Sequence, residues 1–449
     1  MVYVISPRAM KNLVLLISSL IFYAWGEPAC VFLMAGSVFV AYWIGIGLEK
    51  YHSKRLLAIG IALEIGVLFY FKYANFFLLN IKQMTGIPLK TLAIALPVGI
   101  SFYTFQLLSY LIDVYRNEVP AQRNLCSLAT YIAMFPQLIA GPIVRYADVE
   151  KELNERTHSL EKIAYGIRRF VLGLSKKVLV ADLLGEFCTV FRGMEERSLF
   201  FCWAYAVAIS LQIYFDFSGY SDMAIGLGRI FGFHFLENFQ YPFVSKSITE
   251  FWRRWHISLG NWFRDYVYIP LGGNRGGKGK QIRNLLIVWG LTGLWHGAEW
   301  TFVIWGLWFG VLLILEKMVF APKQKQNHEK KEGFGSKIGR RLYVWLAVVI
   351  SFVIFDAASV KDAFQILGAM FGLGKLPFLT SVTTYYLTSY AGVFLVALIG
   401  ATPVPKRLVS KIKPEILAWV EPVIMLLLLV TVTAYLVDGS FHPFLYFRF

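Results

Sequence analysis

His296 is the side chain of this 449-residue sequence best suited to general-base chemistry. It lies in Gly-Leu-Trp-His-Gly, residues 293–297, within a stretch that is otherwise apolar. Ionisable side chains at membrane depth are costly and commonly functional, and burial there keeps an imidazole neutral. A neutral imidazole can accept the proton of an attacking hydroxyl group. The competing interpretation is a buried histidine that is only hydrogen-bonded structure.

A second histidine, His256, lies in an aromatic and basic segment, residues 251–268. At helical spacing the aromatic residues share one face with His256, and the charged residues fall mostly on the other. This pattern predicts an amphipathic helix in the membrane interface, started by a capping box of Ser247 and Glu250. Its arginines could hold a phosphate-bearing donor, and a simple interfacial anchor is the alternative. The donor-binding candidates are Trp252, Arg253, Arg254, Trp255 and Arg264, with Asn261 and Asp265 as supporting residues.

Acidic and aromatic residues near these histidines are further candidates. Asp216 and Asp222 lie at a break between two apolar runs, 200–217 and 224–235, where an acid could orient a histidine or cap a helix. Trp295 precedes His296 directly, and Glu299 follows it by three residues, a spacing that can share a helical face. We expect Asp216 and Trp295 to support the site.

Three other sequence features carry weaker signals. The glycine-rich basic loop 271–280 lacks the spacing of a P-loop, so a flexible cytoplasmic turn is the better interpretation. The four cysteines have no CxxC spacing, and no cluster of metal ligands is visible, so no metal is expected. The aromatic C-terminal tail, residues 438–449, is typical of interfacial anchoring, but Tyr446 also offers a hydroxyl group.

The elements that position these residues must be membrane helices. The chain is 57% hydrophobic and 16% charged, with a mean hydropathy of +0.57, whereas soluble domains are about 45–50% apolar and about 25% charged. A soluble enzyme and a disordered chain are therefore excluded. The apolar runs predict an all-α polytopic membrane protein with about ten to twelve spanning or re-entrant helices. The net charge of +16 fits basic cytoplasmic loops, so no nucleic-acid partner is expected.

Two basic loops, 246–283 and 317–341, predict which ends of the helices face the cytoplasm. The apolar stretch between them, 284–316, must then enter and leave on the same side. About 33 residues give about 50 Å of helix, which is short for two crossings of a roughly 30 Å core. We therefore predict a broken or re-entrant hairpin that lines a cavity, with bends at Gly290, Gly293 and Gly297.

Several motifs together resemble the membrane-bound O-acyltransferase superfamily, in particular the branch of the bacterial alginate O-acetyltransferase membrane protein. The resemblance extends in order along nearly the whole chain. Members of the branch usually carry one more hydrophobic helix before the segment that matches residues 11–25, and this sequence begins near the end of that helix. The matching segments are 71–75, 96–103, 139–142, 214–222, 247–250, 252–259, 264–266, 271–277 and 293–297.

The resemblance implies a single membrane domain over residues 1–449, built as a ring of helices in the plasma or inner membrane. It implies that His296 is the essential catalytic residue and that His256 is a second catalytic histidine near the donor path. It further implies that cytosolic acetyl-CoA is the donor substrate, without any bound cofactor. The acetyl group would pass outward, through Tyr446 as a candidate carrier, to an extracytoplasmic acetyltransferase partner that modifies an exported polysaccharide.

Two other functions remain open from the sequence. A polytopic transporter or exporter of a glycan or lipid is one, although no internal repeat is visible and such folds are commonly built from repeats. The other is a scaffold that docks the extracytoplasmic transferase through its C-terminal tail. The identity of the polysaccharide is not encoded in any motif.

Overall fold

The computed structural model describes residues 2–139, 141–320 and 333–439. Over these residues it contains helices and loops without strands, as expected for an all-α protein. Eight helices in this part of the chain are long and apolar enough to cross a membrane, so the protein is a multi-pass membrane protein. They are Arg8–Gly26, Cys30–Tyr51, Lys54–Thr85, Leu199–Ile230, Trp300–Met318, Gly335–Asp356, Ser381–Gly400 and Pro414–Asp438.

The chain divides into two compact units, and the first contains residues 1–167 and 224–236. Its core surrounds α6, which is buried on almost every side. Tyr3 ties the first helix to this unit, because its hydroxyl group donates to the carbonyl of Phe231 at 2.6 Å. Its helices are α1 (Val2–Ile5), α2 (Lys11–Gly26), α3 (Cys30–Tyr51), α4 (Lys54–Leu68), α5 (Ala74–Thr85), α6 (Ile100–Tyr115), α7 (Leu125–Ala133), α8 (Phe135–Leu138), α9 (Tyr146–Asn154) and the start of α10 (Leu160–Lys176).

The second unit contains residues 168–223 and 237–449 and carries both candidate histidines. Its aromatic core lies among α11 (Leu183–Gly193), α12 (Leu199–Ile230), whose last residues belong to the first unit, and the helices that follow. Those helices are α13 (Ile248–Trp252), α14 (Ile257–Phe263), α15 (Lys278–His296), α16 (Trp300–Leu315), α17 (Phe334–Asp356), α18 (Val360–Met370), α19 (Ser381–Gly400), α20 (Val404–Val409) and α21 (Pro414–Asp438).

Helices α15 and α16 form an antiparallel hairpin, but its glycines act differently from the prediction. Helix α15 runs unbroken to His296, so Gly290 and Gly293 do not bend it, whereas Gly297 ends it. Gly293 and Gly306 instead let the two helices approach closely. A Cβ atom on Gly306 would lie 2.3 Å from the carbonyl oxygen of Trp289, and one on Gly293 would lie 2.4 Å from that of Phe302.

The apolar part of α15 runs from residue 284 to residue 296. At about 1.5 Å per residue it is about 20 Å long, shorter than a roughly 30 Å hydrocarbon core. We therefore expect His296, at its end, to lie at membrane depth. The turn that follows exposes Glu299 and Trp300, and α16 then runs back toward the basic end of α15.

Two predicted helix boundaries are wrong. The apolar runs 200–217 and 224–235 are not separate spans, because residues 199–230 form the single 32-residue helix α12. Asp216 and Asp222 fit inside it because each is paired with a lysine. The run 125–144 is not a span either, since α7 ends at Ala133 and Met134 is extended. The residues after Met134 form only the four-residue helix α8.

Candidate active site

His296 is the last residue of α15 and is enclosed by aromatic rings from three helices. Its imidazole is 5% exposed. The ring centroids of Trp295, Trp305 and Phe355 lie 5.0, 4.8 and 5.4 Å from that of His296. Such surroundings exclude water, which would protect a reactive ester or thioester from hydrolysis.

The segment around His256 is not the single amphipathic helix that the sequence predicts. Helix α13 ends at Trp252, and α14 begins only at Ile257. Between them the backbone of His256 adopts the left-handed conformation, with φ of 43° and ψ of 53°. A non-glycine residue in this conformation is uncommon and typical of tight turns and functional sites. The break turns the imidazole into the protein, where it is fully buried.

Asn238 fixes the orientation of the His256 ring. The Oδ1 atom of Asn238 accepts from the backbone N–H and the hydroxyl group of Ser258 at 3.2 and 3.0 Å. The same oxygen lies 3.3 Å from His256 Nδ1. The backbone N–H of Ser258 can only donate, which identifies its partner atom on Asn238 as the oxygen, and the amide nitrogen of Asn238 then donates to the hydroxyl group of Ser221 at 3.2 Å. His256 Nδ1 must therefore carry the proton, and Nε2 carries the lone pair.

The Nε2 atom of His256 is buried and has no hydrogen-bond partner among the residues that the structure describes. Burial lowers the pKa of His256 to about 3, so the imidazole is neutral at physiological pH. A buried acceptor without a donor costs free energy. A bound molecule that donates a hydrogen bond to Nε2 would remove this cost.

Trp295 connects the two histidines. Its indole lies 5.0 Å from the ring centroid of His296 and 5.9 Å from that of His256. Phe217, the neighbour of Asp216, contacts His256 from α12 with 4.6 Å between ring centroids. The structure therefore brings His256, Trp295 and His296 together in one aromatic cluster.

The candidate donor-binding residues separate into two groups. Trp252 contacts Trp305 at 5.8 Å between centroids and so belongs to the wall around His296. Trp255 packs instead in the core, against Phe352 at 5.2 Å. Both tryptophans lie in short segments beside the break at His256.

The three candidate arginines also differ. Arg254 pairs with Glu250 at 2.9 Å, and Arg264 pairs with Asp265 at 2.7 Å. Arg253 is exposed and makes no ion pair within the described ranges. Of the three, it has the guanidinium group most available for an anionic donor. Asn261 lies half-buried on α14, beside the exposed Gly260.

Asp216 does not orient either histidine through a hydrogen bond that the structure records, but pairs with Lys177 at 2.9 Å. Lys177 also lies 2.6 Å from Asp182. These three groups join α12 to the segment after α10, and Asp216 is followed on α12 by Phe217, which contacts His256. A supporting role for Asp216 stays a prediction. Tyr446 lies outside the described residues.

The glycine-rich loop is tied to its surroundings, although the sequence predicts a flexible turn. The Oδ1 atom of Asn274 accepts from Tyr268, Gln281 and Lys317 at 2.7, 2.6 and 2.6 Å. These contacts join the loop to α15 and to the end of the α16 segment. Arg275, Lys278 and Lys280 are exposed, as is Arg253, and all four belong to the segment 246–283 that the sequence predicts to face the cytoplasm.

Several residues that contact the site could not be found from the sequence. Asn238 lies in an irregular segment without a motif, and Phe355 is one of many aromatic residues near the end of an apolar helix. Glu316 could have been noticed in the sequence, because an acidic residue at the end of an apolar helix is unusual. Its carboxylate accepts from the backbone N–H groups of Ile248 and Thr249 at 2.5 and 2.9 Å and thus caps α13.

The described residues contain no group of three or more His, Cys, Asp or Glu side chains arranged to hold a metal ion. The hydrogen-bond partner that the structure records for His256 is the side-chain amide of Asn238. The arrangement therefore offers the imidazole of His296 in an aromatic enclosure and the neutral imidazole of His256, whose Nε2 atom has no hydrogen-bond donor within the described residues. Such a site can deprotonate a hydroxyl group and position an uncharged polar group.

Comparison with known proteins identifies close relatives. Residues 46–355 match the sequence model described as MBOAT, membrane-bound O-acyltransferase family. A protein named probable alginate O-acetylase AlgI from Pseudomonas putida is 40% identical, covering 100% of this chain and 96% of its own length. One of the same name from Azotobacter vinelandii is 44% identical over 83% of this chain and 75% of its own. The peptidoglycan O-acetyltransferase of Helicobacter pylori is 34% identical over 85% of this chain and 76% of its own.

Proposed function

Because the chain belongs to the membrane-bound O-acyltransferase family, we propose that it transfers an acetyl group from cytosolic acetyl-CoA toward an exported polysaccharide. The family and the names of its relatives establish the coarser class, a membrane O-acyltransferase. Those names, alginate O-acetylase and peptidoglycan O-acetyltransferase, support a polysaccharide as the final acceptor. The donor, the direction of transfer and the residue roles are the proposed part.

The observation that carries the proposal is the enclosed imidazole of His296 at the end of α15. His296 takes the proton of the acceptor hydroxyl as its oxygen attacks the thioester carbonyl carbon. The new C–O bond forms, the C–S bond breaks, and the thiolate leaving group receives that proton from the imidazolium. The products are an acetyl ester and a free thiol. A general base must be neutral at rest in order to accept this proton.

The remaining site residues hold the donor. His256 Nε2 faces the interior with a free lone pair, which can accept a hydrogen bond from an amide N–H of the donor's pantetheine arm. Arg253 and the exposed basic residues of loop 271–280 supply positive charge for its phosphate groups. The donor would thus enter from the basic end, while the acceptor approaches from the opposite end of the hairpin. Acetyl-CoA is a substrate in this scheme.

An extracytoplasmic acetyltransferase is the proposed partner that receives the acetyl group, with Tyr446 as the intermediate carrier. The protein would then reside in the plasma or inner membrane, with its basic loops in the cytoplasm. A transporter or exporter of a glycan or lipid is the alternative. It would move its substrate without His296, because transport needs no general base.

The test uses inverted membrane vesicles and acetyl-CoA labelled in the acetyl group. Thioester consumption and protein-linked label are compared in the native chain, His296→Ala, Tyr446→Phe and, as a matched control, His234→Ala, which changes an exposed histidine of the first unit. We expect His296→Ala to lose both thioester consumption and protein-linked label, Tyr446→Phe to lose the label and the consumption that depends on this carrier, and His234→Ala to keep both. Unchanged consumption in His296→Ala at equal abundance would contradict the catalytic assignment.

A further inference from the structure

A group of basic side chains surrounds Tyr3 near the start of α2, within the first unit. Tyr3 itself is buried, with 7% of its surface exposed. The Nζ atom of Lys11 and the guanidinium carbon of Arg156 lie 4.4 and 5.7 Å from the centroid of its ring. The ring centroid of His158 lies 5.5 Å from the same point. With two neighbouring charges, these residues form the Tyr3 basic cluster, which consists of Arg8, Lys11, Arg156, His158 and Lys162.

The hydrogen bonds of Tyr3 determine the state of His158. The hydroxyl group of Tyr3 has a single proton, and it donates this proton to the carbonyl of Phe231 at 2.6 Å. Its oxygen accepts from Arg156 Nε at 2.8 Å, and His158 Nε2, at 2.9 Å, must therefore donate to it as well. Burial and the positive charges of Lys11 and Arg156 lower the pKa of His158 from its usual value of 6.5. The positive charge around His158 is thus not balanced by a nearby acid.

Arg156 donates only to uncharged acceptors within the described residues. Its guanidinium group also stacks on Phe233, with 4.7 Å between the guanidinium carbon and the ring centroid. These contacts fix the side chain but leave its charge uncompensated. The acceptors are the hydroxyl group of Tyr3 at 2.8 Å, Oδ1 of Asn12 at 2.6 Å and the carbonyl of Glu152 at 3.3 Å.

The two lysines of the cluster also donate to uncharged oxygen atoms. Lys11 donates to the carbonyl of Tyr3 at 3.1 Å, and Lys162 donates to the carbonyl and the hydroxyl group of Thr157 at 3.1 and 2.5 Å. Both ammonium groups therefore keep a full positive charge.

No acidic residue forms an ion pair with the cluster in the part of the chain that the structure describes. The carboxylate of Glu152 accepts instead from the backbone N–H of His234 at 2.9 Å. Glu155 and Glu161, which flank the segment of His158, are exposed. The cluster is therefore a concentration of positive charge that an anion from outside the protein can neutralise.

The cluster lies at an end of the first unit that is rich in positive charge. Asn12 at the start of α2 donates to Ser127 at the start of α7 at 3.1 Å, and Arg123, just before α7, pairs with Glu49 at the end of α3. The start of α2 and the end of α3 are therefore at the same end of the unit. The loop after α3 adds further positive charges, those of Lys50, Lys54 and Arg55. Such an end is expected to face the cytoplasm, where the membrane surface carries anionic lipids.

Exposed apolar side chains accompany the cluster. Met10, just before α2, and Leu13, on its first turn, are 49% and 41% exposed, and Leu160 at the start of α10 is 86% exposed. Helix α2 is long and apolar enough to span the membrane, so its exposed side chains are expected to face acyl chains. A soluble phosphate compound would use the charge of the cluster but not this apolar surface. A lipid would use both.

We propose that the Tyr3 basic cluster binds the headgroup of an anionic phospholipid, whose acyl chains lie along the exposed apolar side chains of α2. The bound lipid neutralises the cluster and stabilises the contacts of Tyr3 within the first unit. The inference does not depend on acyl transfer. Arg253 and loop 271–280, which are proposed to hold the phosphate groups of the donor, belong to the second unit.

Binding is tested on the full-length protein in detergent. Native mass spectrometry measures the affinities of phosphatidylglycerol and of phosphatidylcholine with the same acyl chains, which differ in net charge. We expect the native chain to prefer phosphatidylglycerol and each charge removed to cost about fivefold in its affinity, hence about thirtyfold for the variant Arg8→Gln with Lys162→Gln. The matched control is Lys54→Gln with Arg55→Gln, which removes two exposed charges at the same end of the unit and should keep most of the preference.

Thermal unfolding checks that each variant is folded. If the double variant does not fold, Arg8→Gln alone changes an exposed side chain and should lower the affinity by about fivefold. Equal affinities of the native chain for the two lipids would overturn the proposal, and so would equal losses in the test and control variants, which would indicate only general surface charge. Displacement of phosphatidylglycerol by inorganic phosphate or by acetyl-CoA at similar concentration would also overturn it, because the cluster would then bind a soluble phosphate group.

Discussion

The imidazole of His296 meets the indole of Trp305 edge to face, with 4.8 Å between the ring centroids and 81° between the ring planes. Trp305 lies on α16 and is 1% exposed, so its position is set by the packing of the hairpin. The indole ring that packs against His296 of α15 therefore comes from the other helix of the hairpin, α16. Under the proposed function, close packing of α15 against α16 is required for catalysis as well as for stability.

Trp305→Leu should lower the rate of thioester consumption by about tenfold or more, because a catalytic group displaced by about 1 Å can lose a hundredfold in rate. Trp305→Phe keeps an aromatic edge and should retain most of the activity. The measurement is turnover of labelled acetyl-CoA at equal protein abundance. Equal rates in the native chain and Trp305→Leu would show that the ring contact does not position the base.

Gly306→Ala should disrupt the hairpin. Its Cβ atom would lie 2.3 Å from the carbonyl oxygen of Trp289, and backbone atoms cannot move aside as a flexible side chain can. We expect a lower thermal unfolding temperature and loss of activity. Gly290→Ala is the matched control, because nothing lies within 4 Å of its Cβ position. That variant should be as stable as the native chain or slightly more so, since alanine is favoured over glycine within a helix by about 1 kcal/mol.

Asn238→Leu should lower turnover by about tenfold to a hundredfold, because it removes the oxygen that holds His256 Nδ1 and frees the ring to turn. Ser221→Ala removes only the partner of the Asn238 amide nitrogen and should be milder. A structural role alone would lower abundance in proportion to activity. KM for acetyl-CoA and the turnover number are therefore measured separately on the folded protein. If activity falls only in proportion to the amount of folded protein, a positioning role for Asn238 is contradicted.

The pH dependence of stability should contain a contribution from His256. Burial lowers its pKa to about 3, below the value of about 6.5 in an unfolded chain. The unfolded state then binds more protons between these values, so this contribution is complete above about pH 6.5 and falls as the pH decreases toward 3. Thermal unfolding of the native chain and His256→Gln between pH 7.5 and 4.5 measures it. The native chain should lose more stability over this range, and parallel curves would contradict the assignment.

Glu316→Ala should destabilise the segment that leads to His256. The change leaves the backbone N–H groups of Ile248 and Thr249 without their acceptor, at a cost of about 1–3 kcal/mol for buried donors. Glu316→Gln retains one carbonyl oxygen as an acceptor and should lose less stability than Glu316→Ala. Chemical denaturation in detergent measures the free energy of unfolding of the native chain and of both variants. Equal stability of the alanine variant and the native chain would show that α13 does not depend on this cap.

Much of the architecture follows from composition and periodicity. The apolar runs are long because each must satisfy its backbone hydrogen bonds in the absence of water, and this constraint is visible in sequence. The class of protein, the hairpin between the basic loops and the pairing of Ser247 with the N–H of Glu250 could all be predicted in this way. The helix boundaries at Asp216 and Met134 could not, because ion pairs and local backbone conformation decide them.

The sequence by itself determined that the protein lies in a membrane, that His296 is an ionisable group among apolar residues, and that positive charge gathers at one end of the hairpin. These properties depend on residue types and their order. Only the tertiary structure decided that His256 sits at a left-handed break, that Asn238 fixes its tautomer, and that Trp295 touches both imidazoles. These three features depend on contacts between residues that are distant in sequence. The periodicity of one segment does not indicate which side chain of another segment will pack against it.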